Sequence, residues 1–289
     1  MLFTQRPADL LNLLFLLFLT SLVVLSHERI GNPSLLIVLY SVLILLQVIV
    51  IRIKDKGTVL RLLHRLIFPT LSILLIFDSF EKIVHDLNPR DIDALLIRID
   101  YRLLGIYPTV ELEKIMSPFL TDLLQLSYTS YYLIPFALAI ALYRKNKEEF
   151  DRALFFVMLC FYLSYLGYLL FPALGPRYTM AHLQTRDLEG WIATGHIQGV
   201  LNTLEGIKRD AFPSGHTGVG LTVLYLAYRY ERLLFFVLLP VVAALVFSTV
   251  YCRYHYVVDV LGGIALTLLT IIIGEVIYEC RSKRISTGH

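Results

Sequence analysis

The chain has 289 residues, 57% of them apolar and only 17% charged, with a mean hydropathy of +0.68. A soluble domain carries about 25% charged residues, so the composition points to lipid as solvent. It excludes a disordered tail, a coiled coil and a disulfide-stapled secreted module. The net charge of +3 is too small to argue for nucleic acid, and no such partner is expected. Cys160, Cys252 and Cys280 are odd in number and far apart, so no disulfide framework or CxxC site is implied.

Crossing about 30 Å of hydrocarbon takes about 20 apolar residues. Such runs lie at 9–26, 34–51, 60–78, 118–143, 153–173, 215–230, 233–251 and 258–279. The fold class is therefore all-α, a polytopic membrane bundle of about eight transmembrane helices. The first run follows Arg6, as a signal peptide would, but Ser26-His27-Glu28-Arg29 lacks a small-x-small cleavage site, which predicts a retained helix. In the third, Arg61, Arg65 and Pro69 interrupt the apolar pattern. Basic residues gather at Arg52/Lys54/Lys56, Arg144/Lys145/Lys147/Arg152, Arg229/Arg232 and Arg281/Lys283/Arg284. Eight spans bring all four groups, and both termini, to one cytoplasmic face, most simply of the plasma membrane. Segments 27–33, 79–117, 174–214 and 252–257 then face outward. Within 91–104, Ile92, Leu95, Leu96, Ile99 and Leu103 form a helical stripe, which predicts an interfacial amphipathic helix. Segment 174–214 is long enough to be functional. The chain divides into residues 1–117, N-terminal transmembrane helices plus the interfacial helix, and 118–289, a catalytic transmembrane core.

Three polar clusters stand at outer ends of the later spans: Gly175-Pro176-Arg177-Tyr178, Ala211 through His216, and Tyr251 through Asp259. Pro213-Ser214-Gly215 reads as a helix start, with Ser214 as cap and Gly215 admitting close approach of a ligand. Free N–H groups there favour phosphate. His255 and Asp259, four residues apart, share a helix face. Asp259 can take the Nδ1 proton of His255 and leave Nε2 as nucleophile. Arg177 and Arg253 supply bidentate positive charge for a phosphoryl group, and His216 can protonate a leaving oxygen. A single carboxylate in these motifs argues against a metal centre, and no cofactor is expected.

At these residues the chain resembles the type 2 phosphatidic acid phosphatase superfamily of integral membrane phosphatases and phosphotransferases. That family's pattern is K-x6-R-P, then P-S-G-H, then S-R-x5-H-x3-D. Pro213 to His216 match the second motif, and Ser248, His255 and Asp259 match the third in order and spacing. The family lysine falls on Leu170, and Pro176 precedes Arg177 instead of a proline following it. The family arginine after Ser248 falls on Thr249, with Arg253 four residues on. A helix continuing through that stretch would set Arg253 one turn from Thr249 and within reach of the phosphate. Lys208, with Arg209 beside it, is the candidate replacement for the missing lysine. The arrangement also looks like the inositolphosphotransferase-like branch, which often carries leucine where Gly215 stands.

The resemblance implies a six-helix phosphatase-like core and a two-step reaction. His255 attacks phosphorus to form a phosphohistidine, Asp259 orients it, and His216 protonates the departing group. Water, or the hydroxyl of a second lipid, then takes the phosphoryl group. The implied substrate is a phospholipid or polyprenyl-phosphate, so the function is lipid phosphate hydrolysis. The alternatives are lipid phosphotransfer and, further off, a non-catalytic lipid binder or transporter. The motifs say nothing about oligomeric state. The remaining residues have plainer expectations. His27, His64, His85, His182, His196 and His289 read as solvated, and Tyr128, Tyr131 and Tyr132 as belt aromatics. The Asp and Glu residues between Glu81 and Glu113 read as a solvated face, and Cys252 as a small buried hydrophobe.

Overall fold

The computed structural model describes residues 6–53, 58–204 and 209–287, which form helices and turns with no strand among the described residues. Helices α1 (Pro7–Leu25) and α2 (Pro33–Ile53) pack against each other. Next comes α3 (Phe68–Leu87), entered through the π turn Leu63–Ile67. Pro69 has no N–H for the helical ladder, and the preceding turn widens so that Phe68 N–H bonds the Leu63 carbonyl. His64 in that turn is buried against Asp9 at 3.1 Å and not solvated. Its neighbours Gln47, Asn12 and Ser72 complete a polar cluster among the first three spans.

The expected span 118–143 is two helices, α5 (Pro118–Thr129) and α6 (Ile134–Tyr143), bent by 46°. The break is the 3-10 turn Ser130–Tyr132, and Pro135 withholds a donor from the first turn beyond it. Then follow α7 (Lys147–Leu170), α8 (Thr194–Leu204), α9 (Gly215–Tyr230), α10 (Arg232–Tyr251) and α11 (Val257–Thr287). The interfacial helix is α4 (Asp93–Leu104), closed by Gly105 at φ 70°.

Among the described residues six helices are long and apolar enough to cross a membrane, and seven if the bent pair is one span. The difference from eight lies in α9, only 16 residues long. It sits inside the bundle against α6, α7, α10 and α11, so its environment is protein and its sequence need not be oily on every side. Close packing depends on missing side chains: a Cβ on Gly218 would stand 2.7 Å from Leu266, and one on Gly263 would stand 2.6 Å from Thr217.

The basic turns gather at the end of the bundle where α9 finishes. Arg6 and Arg65 hold Asp151 at 2.7 and 3.1 Å, and Lys145 pairs with Glu231 at 2.7 Å. Arg52 precedes the segment 54–57, and Lys54 and Lys56 lie outside the described residues. The three polar clusters meet at the opposite end.

Candidate active site

Backbone hydrogen bonds join the three motif segments before any side chain is considered. Ala211 N–H donates to the Ala173 carbonyl (3.0 Å), Arg177 N–H to the Arg253 carbonyl (2.8 Å) and Ser214 N–H to the Asp259 carbonyl (3.0 Å). Gly175 supports this approach with φ 90°, and a Cβ there would meet the Tyr254 carbonyl at 2.5 Å. Ser214 caps α9 through Thr217 N–H at 3.3 Å. A Cβ on Gly215 would overlap the hydroxyl of buried Tyr168, so glycine is the residue that fits.

His255 is buried, and its Nδ1 lies 2.8 Å from the Ala211 carbonyl and 3.4 Å from Asp259 Oδ2. A carbonyl only accepts, so Nδ1 carries the proton and Nε2 keeps its lone pair. The sequence expectation gave this task to Asp259 alone; here the shorter bond goes to Ala211. Asp259 is fully buried and also accepts from Tyr256 N–H at 2.8 Å.

His216 stands 5.7 Å from His255 between ring centroids. Tyr131 packs against it at 4.1 Å and Tyr128 at 4.2 Å, and Tyr128 stacks in turn on Tyr254 at 4.2 Å. The Arg177 guanidinium carbon follows 5.7 Å from the Tyr254 ring. Tyr128 and Tyr131, expected in the aromatic belt, are therefore part of the site, and the bend at 130–132 carries Tyr131 to the imidazole. His216 Nε2 is buried without a hydrogen-bond partner among the described residues.

Arg177, His216 and His255 line one cavity of about 380 Å³, together with Asp210, which the motif pattern does not flag. Ser214 and Gly215 stand beside it at the start of α9. Arg253 is not brought there. Helix α10 ends at Tyr251, and Arg253 takes φ 66°, so the expected continuing helix does not form. Its guanidinium instead meets Glu113 at 2.8 Å and the Arg186 carbonyl. Burial lowers its pKa, against the pull of Glu113. Thr249, on the family arginine position, is fully buried. Arg209 pairs with Asp91, and Lys208 lies outside the described residues. Burial pushes the Cys252 thiol up, away from reactivity.

The expected solvated acidic face holds the site together. Asp93, Asp100 and Glu113 are all buried. Asp93 accepts from Leu174 N–H (2.9 Å), Gly175 N–H (2.8 Å) and the Tyr256 hydroxyl (2.8 Å). Asp100 accepts from Val257 and Val258 N–H at 2.8 Å each, capping α11. Burial raises the Asp100 pKa, and those two N–H groups draw it back. Glu113 receives Thr185 N–H at 3.1 Å besides Arg253. Asp122 gathers the N–H groups of Trp191 through Thr194 and so holds the start of α8. The sequence signal for two of these was the spacing of Asp93, Leu96 and Asp100, which share one helix face with a buried leucine.

The sequence pattern of the PAP2 superfamily matches residues 96–273. A PA-phosphatase related-family protein of Dictyostelium discoideum is 27% identical over 176 residues, covering 53% of this chain and 32% of the relative. The match thus spans about a third of that curated relative's length. No solved structure matches. Four-helix packing around α9, a P-S-G-H helix start and an H-x3-D helix start meeting over one cavity accompany a family match across most of the chain, and the protein belongs to the PAP2 superfamily.

Proposed function

We propose that the protein is a membrane-embedded lipid phosphate phosphatase that works through a phosphohistidine on His255. The observation that carries the reading is the pairing of His255 Nδ1 with the Ala211 carbonyl, which leaves Nε2 as a nucleophile beside His216 and Arg177. Nε2 attacks phosphorus as the P–O bond to the leaving group breaks, and His216 gives that oxygen its proton. Water then attacks the phosphohistidine, with His216 taking the proton back. Arg177 and the N–H groups opening α9 neutralise the phosphoryl oxygens, and Asp259 supports the imidazolium. Ser214 and Gly215 serve by shaping that helix start. The basic end of the bundle favours a cytoplasmic placement for itself and an extracytoplasmic one for the site.

The test uses the purified protein with a panel of lipid phosphates, with and without EDTA, following phosphate and new lipid species. Phosphate release that EDTA leaves intact, together with an acid-labile phosphoryl label, is the expected result; His255→Ala and His216→Ala proteins that remain folded should release none. Turnover by His255→Ala, or strict metal dependence, overturns the reading. A new phosphorylated lipid that depends on an added acceptor would identify phosphotransfer.

A further inference from the structure

The proposed reaction asks His216 to hold a proton until the P–O bond breaks, so its surroundings must favour the imidazolium form. The charged groups nearby do not single it out. Asp210 is the one carboxylate among the described residues lining the cavity, and Arg177 in the same lining offsets its charge. Asp259 faces His255 Nδ1 and Tyr256 N–H instead. The His255 ring, 5.7 Å away between centroids, gains positive character as it bonds phosphorus and so disfavours a second cation beside it. The phenols of Tyr165, Tyr168 and Tyr254 on the cavity walls are neutral near physiological pH.

What distinguishes His216 is the pair of rings against it. Tyr128 stacks on the imidazole at 4.2 Å and 21°, and Tyr131 meets it at 4.1 Å and 33°. Two phenol rings cannot both stand this close over one face without overlapping each other, so they cover opposite faces. An uninterrupted helix would set residues three apart on one side; the turn Ser130–Tyr132 breaks it, and the imidazole stands between the two rings. The face of an aromatic ring carries the negative part of its quadrupole and attracts a cation. An imidazolium between two such faces is favoured twice, whereas neutral imidazole gains packing alone. We infer that Tyr128 and Tyr131 are positioning residues that hold His216 as the imidazolium, the acid of the first step. This rests on the phosphatase reading. As His255 Nε2 bonds phosphorus and the P–O bond breaks, His216 Nε2–H passes its proton to the leaving oxygen. The water that then breaks the P–N bond returns a proton to His216, and the charged ring again lies between the two faces.

The experiment follows kcat against pH for a long-chain alkyl phosphate, whose leaving oxygen needs a proton, and for p-nitrophenyl phosphate, whose leaving group does not. Tyr128→Leu and Tyr131→Leu remove a ring face and keep apolar bulk. Each should lower the basic limb of the alkyl profile by about one pH unit, the scale of one desolvated cation–π contact. Above that limb the ratio of alkyl to aryl rates should fall about tenfold. Tyr128→Phe and Tyr131→Phe retain the faces and should hold the limb at its wild-type position. The same shift is read without turnover by NMR titration of histidine-labelled protein, with the His216 signal identified by its loss in His216→Asn. That ring should titrate about one unit lower in each leucine variant. A limb and a titration that neither leucine variant moves overturn the inference. So do phenylalanine variants that shift as far as the leucine ones, or an equal loss on both esters with no shift, the mark of packing alone. If neither ester releases phosphate, the phosphatase reading fails, and the NMR titration still decides the role of the rings.

Discussion

Asp93 is the residue whose loss should reach furthest, because its carboxylate joins three separate parts of the site. Asp93→Ala removes the acceptor for Leu174 N–H, Gly175 N–H and the Tyr256 hydroxyl. A buried donor left unsatisfied costs about 1–3 kcal/mol; with local rearrangement and some water access, the total loss should be about 3 kcal/mol or more. The catalytic effect follows from Arg177, two residues beyond Gly175, and His255, adjacent to Tyr256. A displacement of about 1 Å costs about 100-fold in rate, so kcat should fall by that order. Thermal unfolding of purified protein and phosphate release from a lipid phosphate measure the two effects. Asp93→Asn separates them: it retains one oxygen acceptor, so it should recover most of the stability and only part of kcat. Tyr256→Phe should cost about 1 kcal/mol, and should cost less in the Asp93→Ala background because its partner is already gone. An Asp93→Ala protein with wild-type melting and wild-type turnover would refute the reasoning.

Gly215→Ala drives a methyl group into the Tyr168 hydroxyl and should destabilise by about 1–3 kcal/mol, partly relieved by Tyr168→Phe in the same chain; thermal melts of the single and double variants check this. Arg253→Ala strips a buried partner from Glu113, which on the scale of buried pairs costs about 3 kcal/mol, and should expose the Thr185–Arg186 segment to faster proteolysis. Arg177→Ala should lower kcat/KM by about 100-fold, as loss of a transition-state donor does. Arg177→Lys should recover only part of this, because an ammonium cannot reproduce the planar fork.

The apolar spans, the P-S-G-H and H-x3-D motifs and the helix at 91–104 were legible because each repeats a physical period or a fixed chemical spacing. The acidic residues were not, since an aspartate on an amphipathic helix looks the same whether it meets water or backbone N–H. The partners of Asp93 and Asp100 are mostly main-chain groups, and these carry no letter of their own. Only the coincidence of both residues with Leu96 on one face distinguishes them. The position of Arg253 is hidden for a related reason: counting along a helix presumes that the helix continues, and one left-handed residue redirects the side chain. The site role of Tyr128 and Tyr131 depended on a bend within what reads as one span. The burial of His64 leaves no local sequence signal because its partner, Asp9, lies in another helix.

The column of rings from Tyr131 through His216 and Tyr128 to Tyr254 has mechanical meaning as well as chemical meaning. His216 stacks on Tyr128 and meets the tilted ring of Tyr131 on contact, and rings this close resist compression, so the imidazole cannot move alone between them. The base of the column is the bend between α5 and α6, and α6 also lines the cavity through Leu138 and Ala139. A shift of that bend is therefore passed along the column to His216, and beyond it toward Tyr254 and Arg177, like a push along a row of touching coins.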